Sequence, residues 1–273
     1  MDGEAQWRAL SARPAGTGPV VSLGRSGPVS AFAFPTMGGT VHEYAALAAG
    51  LDGACRLWGV EAAGLRAGSA PQTSLPAMVE RAAGLIRQVQ PDGPYRLIGW
   101  SSGGVLAYET ARRIEAEGAD VAVVALVDAP SRTGRWRPDP ADDLAGMFAD
   151  DVLRGLGRPA GAAPERSAAQ QLALLAERLS GQPGRSGALL GDLERWYAVF
   201  LAHSAALAGY RAEGRLGAAA VLVSAHGSVD SAPYWRRRFG GAVREVCTTA
   251  GHYGCLHPPA VGAVVSAIRG ALQ

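Results

Sequence analysis

Short runs of apolar residues alternate along the chain with stretches whose apolar residues recur at helical spacing. The apolar runs predict strands at 19–23, 28–34, 55–62, 95–100, 120–128, 218–225 and 242–250. Helical spacing predicts helices at 75–89, at 103–118 and near 258–272. Nearly continuous apolar strands that alternate with helices are typical of a parallel sheet buried on both faces. The pattern therefore predicts an α/β fold, in which a mostly parallel sheet is covered by helices on both faces.

The alternation breaks between residues 131 and 215, where no convincing strand pattern occurs. Helical stretches fill this segment, and Gly- and Pro-rich joints separate them. One of them opens with Ser167 and Gln170 at the spacing of a capping box. An insertion of this size usually carries function, as a lid or as a binding surface. We therefore expect a helical lid insertion over 131–215.

One α/β domain with an insertion fits a length of 273 residues better than two domains do. The predicted division begins with a flexible leader or linker at 1–18, rich in small residues, and the first part of the core at 19–130. The lid insertion at 131–215 follows, and the second part of the core occupies 216–273.

The composition excludes several kinds of chemistry. All 26 basic residues are arginine, and the chain has neither lysine nor asparagine, which excludes a Schiff-base lysine, a P-loop lysine and a Cys-His-Asn triad. A net charge of +2 with scattered arginines argues against a nucleic-acid partner. The three cysteines lack metal-ligand spacing, so no metal site is predicted. Without a membrane-length apolar run or a signal core, we expect no membrane association and a cytoplasmic protein.

The stretch RLIGWSSGGVLAYETARR, residues 96–113, places Ser101 between a predicted strand and a predicted helix. The bare pattern G-x-S-x-G also occurs by chance, but its place at a strand–helix junction favours a nucleophile elbow. Such a sharp turn requires small neighbours, which Gly99, Gly103 and Gly104 supply. Ser101 is therefore the predicted nucleophile, and the backbone N–H of Ser102 is a predicted oxyanion-hole donor.

A serine nucleophile needs a base, and the base needs an acid to orient it. His252 follows the last predicted strand, at the carboxyl edge of the sheet, and is the predicted base. Asp128 and Asp230 each follow a strand that ends at this edge, and position alone leaves both open as the acid. The other histidines are interpreted as loop, lid or helix-start residues: His42, His203, His226 and His257.

The second oxyanion-hole donor should come from the loop after an early strand. The segment FAFPTMGG, residues 32–39, contains this loop, and the backbone N–H of Met37 is the predicted donor. Gly38 and Gly39 would keep the approach to this N–H open.

Three segments together resemble the thioesterase domains that terminate nonribosomal peptide and polyketide assembly lines. They are FPTMGGTVHEYAALAAGL, VQPDGPYRLIGWSSGGVLAYETARRIEAEGADVAVVALVDAP and GHYGCLHPP, and the resemblance spans roughly residues 19–273. Those domains are α/β-hydrolases, so the resemblance implies this fold with a helical lid. It also implies Ser101 as nucleophile, His252 as base and Asp128, in preference to Asp230, as acid. The block QPDGPYRLIGWSSGG favours the chain-terminating type I over the editing type II thioesterases.

The resemblance implies a serine thioesterase that takes its acyl, peptidyl or polyketide chain from the phosphopantetheine arm of an acyl or peptidyl carrier protein. The chain would form an ester with Ser101 and leave by hydrolysis or macrocyclisation. The carrier protein is the implied partner, antibiotic biosynthesis is the implied setting, and no cofactor or metal is implied. Three alternatives stay open: an acyltransferase that uses the same triad, an editing (type II) thioesterase, and a binding module without catalysis.

Overall fold

The computed structural model describes residues 18–131, 143–159, 161, 166–181, 187–228 and 231–272. These residues form a seven-stranded sheet with the strand order β1-β3-β2-β4-β5-β6-β7. In chain order the strands are β1 (Val20–Ser22), β2 (Val29–Phe34), β3 (Cys55–Val60), β4 (Tyr95–Trp100), β5 (Val121–Val127), β6 (Ala219–Ser224) and β7 (Val243–Cys247).

The sheet is parallel except at one edge, where β1 runs antiparallel to β3. The strands from β2 to β7 therefore present their carboxyl ends at the same edge. In register, Gly99 of β4 pairs with Phe34 of β2, and Trp100 pairs with Val127 of β5. The prediction of an α/β fold with a mostly parallel sheet is confirmed.

Helices cover both faces of the sheet, as the strand pattern predicts. They are α1 (Ala45–Leu51), α2 (Leu75–Val89), α3 (Ser102–Ala116), α4 (Leu144–Gly155), α5 (Ala168–Ser180), α6 (Gly187–Leu207), α7 (Ser231–Arg236) and α8 (Val261–Arg269). On one face α2 and α3 bury Ile86 and Tyr108, and on the other α1 and α8 bury Leu47 and Ile268. None of the helices in the described ranges combines the length and the apolar content that crossing a bilayer requires.

The described residues between β5 and β6 contain three helices, α4 to α6, which share a core of their own around Phe148, Leu175 and Phe200. The predicted capping box begins α5: the Ser167 hydroxyl accepts the Gln170 N–H at 3.3 Å, and Gln170 Oε1 accepts the Ser167 N–H at 3.0 Å. We call α4 to α6 the helical insertion. The division into four segments stays a prediction, and residues 1–17 of the leader lie outside the described residues.

The chain passes from β4 into α3 within one residue, Ser101. A Cβ atom on Gly99 would lie 2.2 Å from the carbonyl oxygen of Gly103, and one on Gly103 would lie 2.7 Å from the carbonyl oxygen of Phe34. A Cβ atom on Gly104 would lie 2.5 Å from that of Ala129. Side chains do not occur at such distances from backbone atoms, so this turn requires glycine at Gly99 and Gly103.

We expect Gly99→Ala to lower the free energy of unfolding by about 3 kcal/mol, because the new methyl group must push backbone atoms apart. The matched control is Gly84→Ala on the exposed side of α2, where an added Cβ meets nothing within 4 Å. That change should raise the free energy of unfolding by roughly 0.5–1 kcal/mol, since alanine favours a helix over glycine. Urea denaturation measures the free energy of unfolding of the wild type and of both variants. If Gly99→Ala were as stable as the wild type, the tight contact between Gly99 and Gly103 would be contradicted.

Candidate active site

Ser101 has the backbone angles φ 55° and ψ −129°. A positive φ is uncommon for a residue with a side chain and costs on the order of 1–3 kcal/mol. Two hydrogen bonds hold the backbone of Ser101 in this conformation. The Ser101 N–H donates to the Val127 carbonyl at 2.9 Å, and the Ser101 carbonyl accepts the Gly104 N–H at 3.0 Å. Strain that the surrounding backbone maintains in this way is typical of a functional position.

The hydroxyl of Tyr44 joins the ends of β2 and β4 beside this turn. It donates to the Phe34 carbonyl at 2.8 Å and accepts the Trp100 N–H at 2.7 Å. Tyr44 is fully buried, so its hydroxyl provides hydrogen-bond partners to two backbone groups away from water. No local sequence pattern indicates this role of Tyr44, because its partners lie 10 and 56 residues away along the chain.

Asp128 directly follows β5, and His252 begins the short helical turn after β7 (His252–Gly254). Asp128 Oδ2 lies 2.6 Å from His252 Nδ1. The carboxylate also accepts the Ala225 N–H at 3.0 Å and the Ser228 hydroxyl at 3.3 Å. Because a carboxylate only accepts hydrogen bonds, Nδ1 of His252 carries a hydrogen, and in the neutral imidazole the lone pair is then on Nε2.

The environment of Asp128 keeps its carboxyl ionised. Burial raises the pKa of Asp128, but hydrogen bonds from His252, Ala225 and Ser228 favour the charged form more strongly. The pKa of Asp128 is therefore lowered below its ordinary value. An ionised carboxylate at this distance fixes the orientation of the imidazole and would stabilise a positive charge on it.

Trp100, the residue before Ser101, stacks on the imidazole of His252. The ring centroids are 5.0 Å apart, and the planes are inclined by 29°. Trp100 is only 4% exposed, so the indole forms a fixed surface for the imidazole. The stack places the His252 ring next to the turn that carries Ser101.

Tyr253 connects the turn of His252 to the helical insertion. Its hydroxyl donates to Asp151 Oδ1 on α4 at 3.0 Å, and the guanidinium of Arg154 lies 5.7 Å from the centre of its ring. Burial raises the pKa of Asp151 to about 6. One helix of the insertion therefore contacts the segment that positions His252.

Met37 lies in the loop after β2, and Ser102 is the first residue of α3. Neither backbone N–H donates to another residue of the described ranges. Next to Met37, a Cβ atom on Gly38 would meet nothing within 4 Å. Both residues lie at the carboxyl edge of the sheet, and neither N–H has an acceptor among the described residues.

A cavity of about 230 Å³ lies between the loop after β2, α4 and α6. Its walls include Gly38, Glu43, Asp151, Leu156, Trp196 and His257. The cavity is therefore lined by Gly38, the residue after Met37, and by residues of the insertion.

Asp230, the alternative acid, lies outside the described residues. Within the described ranges, no three His, Cys, Asp or Glu side chains are grouped so that they could hold a metal ion. Cys255, near His252 in sequence, is buried, and its thiol donates to the Gly251 carbonyl at 3.5 Å.

The lowered pKa of Asp128 has a consequence for stability. An aspartate of the unfolded chain titrates near pH 4, so the native state binds this proton more weakly than the unfolded state does. The ionised Asp128 therefore stabilises the fold above about pH 5, and this contribution is lost as the pH falls below about 4.

We expect Asp128→Asn to be less stable than the wild type at pH 7, with the difference shrinking as the pH is lowered toward 3.5. Urea denaturation at several pH values measures it. The control is Asp92→Asn, which replaces an exposed carboxylate outside the site and should follow the wild type throughout. A difference for Asp128→Asn that stays constant with pH would show that its pKa is not lowered.

Comparison with known proteins assigns the family. A family model described as "Thioesterase domain" matches residues 30–271. Malpinin synthetase from Mortierella alpina is 39% identical over 100 residues, which are 37% of this chain and 1% of that protein. A holo four-domain nonribosomal peptide synthetase with bound AMP and glycine superposes with a TM-score of 0.82 at 23% identity, over 98% of this chain and 21% of that one. The Vlm2 thioesterase domain superposes with a TM-score of 0.71 at 24% identity, over 90% and 95% of the two chains.

The chain spans only 1% of the length of malpinin synthetase. The solved structures, at identities below 25%, establish the α/β-hydrolase fold. The family model covers the chain from β2 to beyond α8, which confirms the prediction of a thioesterase. This chain belongs to the thioesterase domain family.

Proposed function

We propose that this chain releases an acyl, peptidyl or polyketide chain from the phosphopantetheine arm of a carrier protein, through an ester with Ser101. The observation that carries the proposal is the 2.6 Å hydrogen bond between Asp128 and His252, beside the strained turn at Ser101. An ionised carboxylate, an oriented imidazole and a serine at a strand–helix elbow are the components of a serine hydrolase.

In the proposed reaction His252 Nε2 takes the proton of the Ser101 hydroxyl as its oxygen attacks the thioester carbonyl. The tetrahedral intermediate collapses, the carbon–sulfur bond breaks, and His252 returns the proton to the departing thiolate. Water, or a hydroxyl or amine of the bound chain, then attacks the ester in a second step of the same kind. Asp128 keeps the imidazole in the required tautomer and stabilises its protonated form.

The two backbone N–H groups of Met37 and Ser102 are the proposed oxyanion hole. Both lack acceptors among the described residues, and both lie at the edge of the sheet where Ser101 lies. Ser102 also begins a helix, where the helix dipole favours negative charge. Each such donor is worth about 10²–10³ in rate when it meets an oxyanion.

The cavity between the loop after β2 and the insertion is the proposed site of the chain being released. It adjoins Gly38, next to the proposed oxyanion donor Met37. Trp196, Leu156 and Val152 provide apolar walls, while Glu43 and Asp151 provide polar ones. Such a mixture is usual for sites that bind small molecules.

A carrier protein is the proposed partner. Support comes from the family and from relatives that are large synthetases. In the proposed mechanism His252 transfers the protons and Ser101 is the nucleophile of the first step, so the mechanism uses no metal and no cofactor of its own. A phosphopantetheine arm would deliver the thioester to Ser101 from the partner.

We expect Ser101→Ala to abolish hydrolysis of an acyl N-acetylcysteamine thioester. Asp128→Asn should lower kcat on the order of 10⁴-fold, because the imidazole then loses its orienting carboxylate. The control is Asp230→Asn, the other aspartate that follows a strand at this edge, which should keep near wild-type activity. A large loss for Asp230→Asn with little loss for Asp128→Asn would contradict the assignment of the acid.

The identity of the second nucleophile is tested by product analysis with a thioester whose acyl chain carries a distal hydroxyl or amine. A linear acid as the product indicates hydrolysis, and a ring indicates macrocyclisation. Transfer to an added alcohol or amine at the expense of both products would favour the acyltransferase. Consumption of many short acyl groups in preference to a long chain would favour the editing type.

A further inference from the structure

The peptide bond between Thr36 and Met37 carries two groups that point in opposite directions. It is trans and planar, so the Thr36 carbonyl and the Met37 N–H lie on opposite sides of one rigid unit. Whatever holds the Thr36 carbonyl therefore also sets the direction of the Met37 N–H. If this peptide turned over, an oxygen would replace the proposed oxyanion donor.

His203, on α6 of the insertion, holds that carbonyl. Its Nδ1 lies 3.3 Å from the Thr36 carbonyl oxygen, and the residue is 3% exposed. Burial lowers the pKa of His203 to about 4, so the ring is neutral. Because a carbonyl oxygen only accepts, Nδ1 carries the hydrogen of the neutral ring. The Gly39 N–H donates to the same oxygen at 2.9 Å.

Other contacts tie the same loop to its surroundings. A Cβ atom on Gly39, where φ is +83°, would lie 2.6 Å from Cγ1 of Val199 on α6. Glu43 Oε1 accepts the hydroxyls of Thr36 at 3.3 Å and of Thr40 at 3.0 Å. The loop is thus closed on itself by Glu43 and lies directly against α6. His203 is the residue of α6 that bonds to the peptide containing the proposed donor.

We propose that His203 is a positioning residue, which fixes the Thr36–Met37 peptide so that the Met37 N–H faces the oxyanion formed on the substrate of Ser101. The inference rests on the proposed function. It makes the helical insertion part of the catalytic geometry, because α6 carries the group that orients the oxyanion hole.

The test compares His203→Leu with His203→Asn. The two new side chains have nearly the same shape and leave similar space, but only asparagine keeps an N–H donor near the position of Nδ1. With an acyl N-acetylcysteamine thioester, we expect His203→Leu to lower kcat about 10²-fold, while KM stays within about threefold. His203→Asn should recover most of the lost kcat.

A second readout separates positioning from a merely structural role. An alkyl boronic acid adds to a serine hydroxyl and forms a tetrahedral adduct that places an oxygen in the oxyanion hole. Its inhibition constant should rise in His203→Leu by about the factor by which kcat falls, and should recover in His203→Asn. Thermal unfolding checks that both variants are folded at the assay temperature, since a buried asparagine and a buried leucine differ in the cost of desolvation. If His203→Leu does not fold, His203→Met takes its place as the variant without a donor.

The outcomes are distinct. Equal kcat values for wild type, leucine and asparagine variants would overturn the inference, and so would equal losses in both variants. An effect on KM alone would overturn it as well. A wild type that consumes no thioester and is not modified at Ser101 by a fluorophosphonate would instead contradict the proposed function on which the inference rests.

Discussion

The end of β4 and the start of α3 approach each other so closely that the space between Gly99 and Gly103 excludes a methyl group. This contact requires the chain to reverse within Ser101, which takes a positive φ as a result. Because the strands from β2 to β7 are parallel, the segments after β2, β5 and β7 open at the same edge as Ser101. Met37, Asp128 and His252 are in those segments, so the arrangement of the whole site follows from the sheet and from one tight turn.

The sequence predicted what depends on local pattern and on topology. All seven strands, the helix 75–89 and the capping box at Ser167 have local signals, and the structure has each of them. Position could not distinguish Asp128 from Asp230, since both follow strands that end at one edge; the family resemblance favoured Asp128, which the structure places 2.6 Å from His252. The bonds of Tyr44 and His203 were missed because they join side chains to backbone atoms far away in sequence, a pairing that no periodicity encodes.

The helical insertion contacts the site on two sides. On one side α4 reaches the turn of His252 through the hydrogen bond between Asp151 and Tyr253. On the other side α6 reaches the loop after β2 through His203 and Val199. The three helices of the insertion share a core, and they contact both the segment of His252 and the loop that contains Met37.

Intact-protein mass spectrometry can detect the proposed ester between the released chain and Ser101. The protein is mixed with an acyl N-acetylcysteamine thioester, or with an acylated carrier protein, and quenched in acid at early times. If the ester with Ser101 forms, the mass of the wild type increases by that of the acyl group, and the mass of Ser101→Ala does not change. An increase that persists in Ser101→Ala, or thioester turnover that this variant retains, would contradict the proposed ester.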